Sequence, residues 1–152
     1  MNNSHYEQLL LLAQEIATKA HEGQVDKAGV PYINHPRTVS SFCSSLQGKI
    51  VGWLHDVVED TDVTIEDLRM QGFDEELLEA LDCVTKPEIG YDEKVYYERI
   101  KANALAKEVK LADLKHNSDM SRIPEGLSEE QYEKWIKRKE KYMEHIKYLT
   151  AE

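Results

Sequence analysis

The chain has 152 residues, of which 19 are Lys or Arg and 29 are Asp or Glu, giving a formal charge of −10, and hydrophobic residues make up 41%. That length fits one domain, because roughly 150 residues bury about 70% of their unfolded surface in a single core, and the composition excludes collagen-like, low-complexity and fully disordered classes. The acidic balance argues against a general nucleic-acid binder, which needs clustered cations, and the longest apolar run, residues 9–13, is too short to cross a membrane.

Ser4 with Glu7 matches a capping box, and Leu9, Leu12, Ala13, Ile16, Ala17 and Ala20 recur at helical spacing until Gly23, which predicts an amphipathic first helix. Over residues 24–36, Gly29, Pro31, Tyr32 and Pro36 break the periodicity and predict an ordered loop that leads into a second helix near 37–46. A third helix follows Gly48 and carries Ile50, Val51, Trp53, Leu54, Val57 and Val58. Thr64 with Asp67 marks another N-cap, and Leu77, Leu78, Leu81 and Val84 predict a helix closed by Pro87. Residues 91–100 and 104–120 give two more. Pro124 and Gly126 form a joint, after which Ser128 with Gln131 caps a long last helix through Tyr132, Trp135, Ile136, Tyr142, Met143, Ile146 and Leu149. No segment alternates as a strand would, so the predicted class is all-α, about eight helices around one core. Cys43 and Cys83 read as small buried hydrophobes in a reducing compartment, and the N-terminal residues lack the features of a secretory signal, so a cytoplasmic protein is expected.

The chemistry concentrates in Trp53-Leu54-His55-Asp56-Val57-Val58-Glu59-Asp60-Thr61. On one helix His55 and Glu59 are four apart, as are Asp56 and Asp60, while Asp56 and Glu59 are three apart, so the polar groups crowd adjoining sectors. Carboxylates that close repel by some tenths of a kcal/mol per pair unless a cation offsets them, and a divalent metal would do so. The spacing fits a metal or catalytic site, or alternatively an acidic helix terminus. Asp113 and Asn117 stand one turn apart beside His116; Asp113 is a candidate ligand and Asn117 a candidate holder of a water or a ligand side chain, against the alternative of a helix salt-bridged by Lys110 and Lys115. His35, between Asn34 and Pro36 in a stiff loop at a helix entrance, is a third candidate.

Taken in order, His21-Glu22-Gly23-Gln24, Gly29-Val30-Pro31-Tyr32-Ile33-Asn34-His35-Pro36, Leu54-His55-Asp56-Val57-Val58-Glu59-Asp60-Thr61 and Lys110-Leu111-Ala112-Asp113 through Asn117 resemble the HD-domain hydrolases of the RelA/SpoT group. The most similar form is the small hydrolase-only type to which the metazoan SpoT homologue belongs. The similarity runs over residues 9–122, with the motifs in 21–122, and leaves a last helix at about 128–149 as a packing element of a single 1–152 domain. It implies a helical HD fold holding one Mn²⁺ on His35, His55, Asp56 and Asp113, a mixed imidazole and carboxylate set suited to such an ion. It also implies Glu59 and Asp60 as the acidic pair that positions the hydrolytic water and moves its proton, and Asn117 beside the metal and the ribose. The implied reaction removes the 3′-pyrophosphate of guanosine tetra- or pentaphosphate. His21 is expected to support the ligands by a hydrogen bond, and Tyr32, Lys27 and Arg122 to contact the nucleotide.

Two departures bear on recognition. Where the group has an Arg-Lys pair after Gly-Gln, this chain has Val25-Asp26-Lys27, so a cation expected on the purine is an acid; and Met-Arg after Asn117 is replaced by Ser118-Asp119. These motivate two alternatives, a phosphatase acting on another nucleotide such as a phosphorylated dinucleotide, and a nucleotide sensor without turnover. Tyr96 and Tyr97 read as packing residues, Lys94, Arg99, Lys101 and Lys107 as solvated charges, and His5 and His145 as surface residues. The expected partner is a small nucleotide, with no nucleic acid or membrane and no synthetase domain in the chain. The apolar stripe of the last helix covers the core or serves a homodimer.

Overall fold

The computed structural model describes residues 3–119 and 123–151, which form nine helical segments and no strand among them. These are α1 (Asn3–Ala20), α2 (Asn34–Phe42), α3 (Leu46–Leu54), α4 (Val57–Asp60), α5 (Ile65–Met70), α6 (Glu75–Val84), α7 (Glu93–Ala102), α8 (Ala104–Asn117) and α9 (Glu129–Thr150). The helical class expected from periodicity is what forms. Residue 120, the expected end of the 104–120 helix, and Arg122 lie outside the described residues.

Polar caps set most boundaries. Thr64 and Asp67 form a reciprocal capping box, as do Ser128 and Gln131. Asp74, Asp92 and Asn103 accept from the backbone N–H groups of Leu77, Val95 and Ala106, and Asn103 thereby closes α7 and opens α8. Ser4 corrects its expected role: it lies inside α1, which already begins at Asn3, because the S-x-x-E spacing is also satisfied within a helix turn. The second helix begins a turn earlier than expected, with His35 and Pro36 already inside it; proline is tolerated there because the first turn has no use for its missing N–H.

The apolar helix α3 sits at the centre, against α1, α2 and α8, with Ile50, Val51, Trp53 and Leu54 buried. Two close approaches fix its position. A Cβ on Gly52 would lie 2.9 Å from Cα of Ser40, so α2 and α3 cross almost backbone to backbone. At its start, the Glu108 carboxylate on α8 accepts from Ser44 N at 2.9 Å, Ser45 N at 3.1 Å and Ser45 Oγ at 2.5 Å, while Ser45 itself caps Gly48 N. Burial opposes the Glu108 charge, but the bonds from Ser45 and Ser44 outweigh it and hold the carboxyl below its ordinary range. A carboxyl depressed in the folded state stabilises above its unfolded pKa and loses that contribution as pH falls through the folded one. Glu108→Gln is therefore expected to cost about 1 kcal/mol at pH 7, with the gap from wild type closing below about pH 4, as read by thermal melts across pH.

Cys43 and Cys83 are buried free thiols, in accord with the reading as small hydrophobes. Among the described residues no helix is long and apolar enough to cross a membrane.

Candidate metal centre

The expected continuous helix through residues 53–61 is broken between α3 and α4. Nδ1 of His55 donates to Gly52 O at 2.7 Å, which is the carbonyl that the next helical turn would have used, and Asp56 settles at φ −107° and ψ −2° as the N-cap of α4. His55 and Glu59 consequently do not share one helical face. The break has a chemical consequence: with Nδ1–H held by Gly52 O, the nitrogen that His55 turns into the protein is Nε2, which a divalent metal would take in place of a proton.

Four side chains from α2, the α3–α4 turn and α8 meet there. Nε2 of His55 lies 3.2 Å from Nε2 of His35, 3.0 Å from Asp56 Oδ2 and 3.4 Å from Asp113 Oδ1; Nε2 of His35 lies 2.8 Å from Asp113 Oδ1 and 3.8 Å from Asp56 Oδ2. Ligands about 2.0–2.2 Å from a small divalent ion stand about 3 Å apart when adjacent, so these spacings suit one ion. The two imidazoles and Asp56 by themselves meet the distance requirement for a shared cation.

Each of these donors is oriented from behind. Asp56 Oδ2 accepts from the Tyr32 hydroxyl. Asp113 keeps Oδ2 on Lys110 Nζ at 3.0 Å and receives Asn117 Nδ2 on Oδ1 at 3.0 Å. Nδ1 of His35 lies 2.7 Å from Nδ1 of His116, with the rings stacked, so a His35 that offers Nε2 to a metal donates Nδ1–H to His116. Asn117 and Tyr32, expected at the substrate, line the cleft and each also bond a carboxylate of the cluster, Asn117 thus matching the alternative expectation that it holds a ligand side chain. His21 corrects its expectation: its Nδ1 pairs with Gln24 Oε1 at 2.9 Å, its buried Nε2 has no hydrogen-bond partner among the described residues, and it meets the cluster by packing on the Tyr32 ring.

The electrostatics follow from burial against close charge. Burial opposes a proton on His55, but the Asp56 and Asp113 carboxylates outweigh it and raise the imidazole pKa well above its ordinary value. Burial likewise opposes the Asp113 charge, and Lys110 with the two imidazoles holds that carboxyl far below its usual range. Glu59 and Asp60 shift the other way, raised by burial and by the nearby Asp56 charge. Their oxygens, with those of Asp56, lie within 4.8 Å of one another, and Glu59 Oε1 is fixed by the backbone N–H of Lys86 at 2.7 Å.

The cluster forms the floor of a cleft of about 580 Å³, a size that accommodates a nucleotide. Lys27, Glu59, Asp60 and Asn117 line it as expected. Its other walls carry residues that sequence reasoning missed: Lys86 after α6, and Trp135, Arg138, Lys141, Tyr142 and His145 on α9. The last helix is thus more than a packing element, and His145 is not a surface residue, since its ring stacks on Tyr97 at 3.9 Å and its Nε2 lies 3.3 Å from Glu93. Tyr96 and Tyr97 are buried packing residues that also give their rings to Lys110, with Nζ 5.4 and 5.8 Å from the centroids. Lys94, Arg99, Lys101 and Lys107 do not line the cleft; the first two pair with Glu98 and Asp82.

No protein-family model matches the chain. Among curated proteins it is 47% identical over 78 residues, 49% of the chain, to a guanosine-3′,5′-bis(diphosphate) 3′-pyrophosphohydrolase of Borreliella burgdorferi. It is 36% identical over 117 residues, 69% of the chain, to a GTP pyrophosphokinase of Streptomyces coelicolor. The chain spans only 12% and 14% of the lengths of those relatives. A solved structure, of a metazoan orthologue of SpoT described as hydrolysing ppGpp and acting in starvation responses, superposes with a TM-score of 0.73 at 24% identity, covering 94% of this chain and 88% of that one. The shared architecture is the all-α HD fold.

Proposed function

From a chain related to the RelA/SpoT-type HD hydrolases, we propose a metal-dependent nucleotide pyrophosphohydrolase that removes the 3′-pyrophosphate from guanosine 3′,5′-bis(diphosphate), working with Mn²⁺ in the cytoplasm. The observation that carries this reading is the convergence of His35, His55, Asp56 and Asp113 at the floor of a cleft whose rim holds both Glu59 and Asp60 and several cations. Two neutral imidazole nitrogens and two carboxylates fit a first-row divalent ion, which when bound would supply Lewis-acid neutralisation of diphosphate charge.

The protein's own groups divide the rest of the work. Glu59, with one oxygen anchored on the Lys86 N–H, offers the other to orient a water and take its proton, and burial together with the nearby Asp60 carboxylate raises the Glu59 pKa and so its basicity. Tyr32 and Asn117 hold Asp56 and Asp113 in the rotamers that let their oxygens converge. Lys86, whose Nζ lies 5.5 and 5.9 Å from the ring centroids of Tyr91 and Tyr96 and has no ion-pair partner among the described residues, is a cation available to phosphate.

The test is pyrophosphate and orthophosphate release from metal-stripped protein given Mn²⁺ and a panel of nucleotides. Pyrophosphate from the guanosine 3′-diphosphate substrate is expected. Orthophosphate from another nucleotide would instead favour the phosphatase reading that Asp26 and Ser118-Asp119 motivate, and binding without product would favour a sensor. Glu59→Gln should lower kcat by roughly 10²–10³-fold while one metal ion per chain is retained. Unchanged turnover in that variant would remove Glu59 from the mechanism.

A further inference from the structure

The loop that should bring an arginine to the nucleotide cannot do so in this chain. Oδ1 of Asp26, the residue in its place, accepts from Ala28 N at 2.8 Å and Val30 N at 3.1 Å, and Asp26 N donates to Val30 O at 2.9 Å. That side chain pins the turn around Gly29, whose φ of +80° the turn requires, so the acid at position 26 serves the loop's own backbone.

Across the cleft stands Arg138 of α9. Its guanidinium lies 5.7 Å from the Trp135 ring and has no carboxylate within ion-pairing distance among the described residues, unlike Lys141, whose Nζ is 3.0 Å from Glu93, and Lys110, which is bound to Asp113. Arg138 lines the same cleft as Lys27. Burial first and the Arg138 charge second lower the Lys27 pKa, as expected of two cations that face one space. In a chain of net charge −10, two cations without an ion-pair partner among the described residues, facing one cleft above a floor of carboxylates, mark the place of a mobile anion.

We propose that Arg138, from the last helix, supplies a cation to this cleft and, together with Lys27, holds the 5′-phosphate end of the nucleotide, rather than taking over the purine contact of the missing loop arginine, while the 3′ end lies at His35, His55, Asp56 and Asp113. This deepens the proposed function and rests on its reading of the cleft as a nucleotide site. Arg138 is here a specificity residue: the Arg side chain, over the Trp135 ring, offers a planar fork of donors to phosphate from a helix rather than from a loop.

The test uses the full chain with Arg138→Ala and Arg138→Lys, measuring calorimetric binding of guanosine 5′-diphosphate and of guanosine. The expected result is about tenfold weaker binding of the diphosphate in Arg138→Ala, partial recovery in Arg138→Lys, and unchanged guanosine binding. In turnover, KM for guanosine 3′,5′-bis(diphosphate) should rise about tenfold, more than kcat falls, with no such rise for guanosine 3′-diphosphate. Diphosphate binding unaffected by Arg138→Ala, equal losses for both ligands, or no diphosphate binding by the wild type would each overturn the proposal. A wild type that binds the diphosphate through Arg138 but releases no pyrophosphate would uphold it and remove the hydrolytic reading instead.

Discussion

Asp56→Ala is expected to abolish turnover, by roughly three orders of magnitude or more, and to take bound Mn²⁺ from one ion per chain to well below one, with far-UV circular dichroism unchanged. Asp56 is the one member of the set with a foot in two groups: its Oδ2 is 3.0 Å from His55 Nε2, and its carboxylate shares a 4.8 Å neighbourhood with Glu59 and Asp60. Removing it takes an anionic donor from the ion and at once uncouples the ion from the water-handling pair. The fold should tolerate the loss, because the backbone turn at position 56 is set by the His55 bond to Gly52 rather than by the aspartate side chain, which makes no capping bond to α4. Tyr32→Phe is the graded companion. It removes only the hydroxyl that orients Asp56, and a loss of 10–100-fold in metal affinity is the usual scale for such a partner. Metal content by elemental analysis, alongside pyrophosphate release, reads both variants. One tightly held ion in Asp56→Ala would exclude Asp56 from the ligand set.

The ordered motif blocks made the centre legible before any coordinates, since His35, His55, Asp56 and Asp113 do converge, and side-chain caps at Thr64 and Ser128 fixed their helices from local pattern alone. The break at His55 was not legible. It arises because a histidine side chain competes for Gly52 O, and periodicity records only where apolar residues recur. The α9 wall was hidden for a related reason. Trp135, Arg138, Tyr142 and His145 fall on one stripe of a helix, a spacing identical to that of residues covering a core. Whether such a stripe meets a core or a cleft depends on where the preceding 123–128 joint directs the helix, which is a tertiary property. Likewise the i,i+3 pairing of Lys110 with Asp113 could be read from the sequence, but not that both are buried, and burial changes what the pair means.

Lys110→Met is expected to destabilise the metal-free protein by about 3 kcal/mol, a fall in Tm of roughly 6–12 °C for a domain of this size. The Lys110 side chain is 11% exposed and that of Asp113 10%, so neither charge is solvated, and each depends on the other. Burial works against the ammonium, yet Asp113 and the faces of Tyr96 and Tyr97 outweigh it and raise its pKa well above the ordinary value. Methionine fills most of the same volume, which isolates the charge from the packing. What remains is a carboxylate that keeps Asn117 Nδ2 and the imidazoles of His35 and His55 on Oδ1 but has lost the cation on Oδ2, and breaking a buried pair by removing one partner costs far more than the intact pair contributes. The double variant Lys110→Met with Asp113→Leu separates these terms: removing both charges should recover most of the lost Tm, even though it destroys the metal centre. If instead the double variant melts as low as Lys110→Met or lower, the cost lies in packing against Tyr96 and Tyr97. Recovery would mean that Lys110 offsets the buried Asp113 charge, keeping that carboxylate ionised at the cleft floor, ready to receive a cation on its other oxygen.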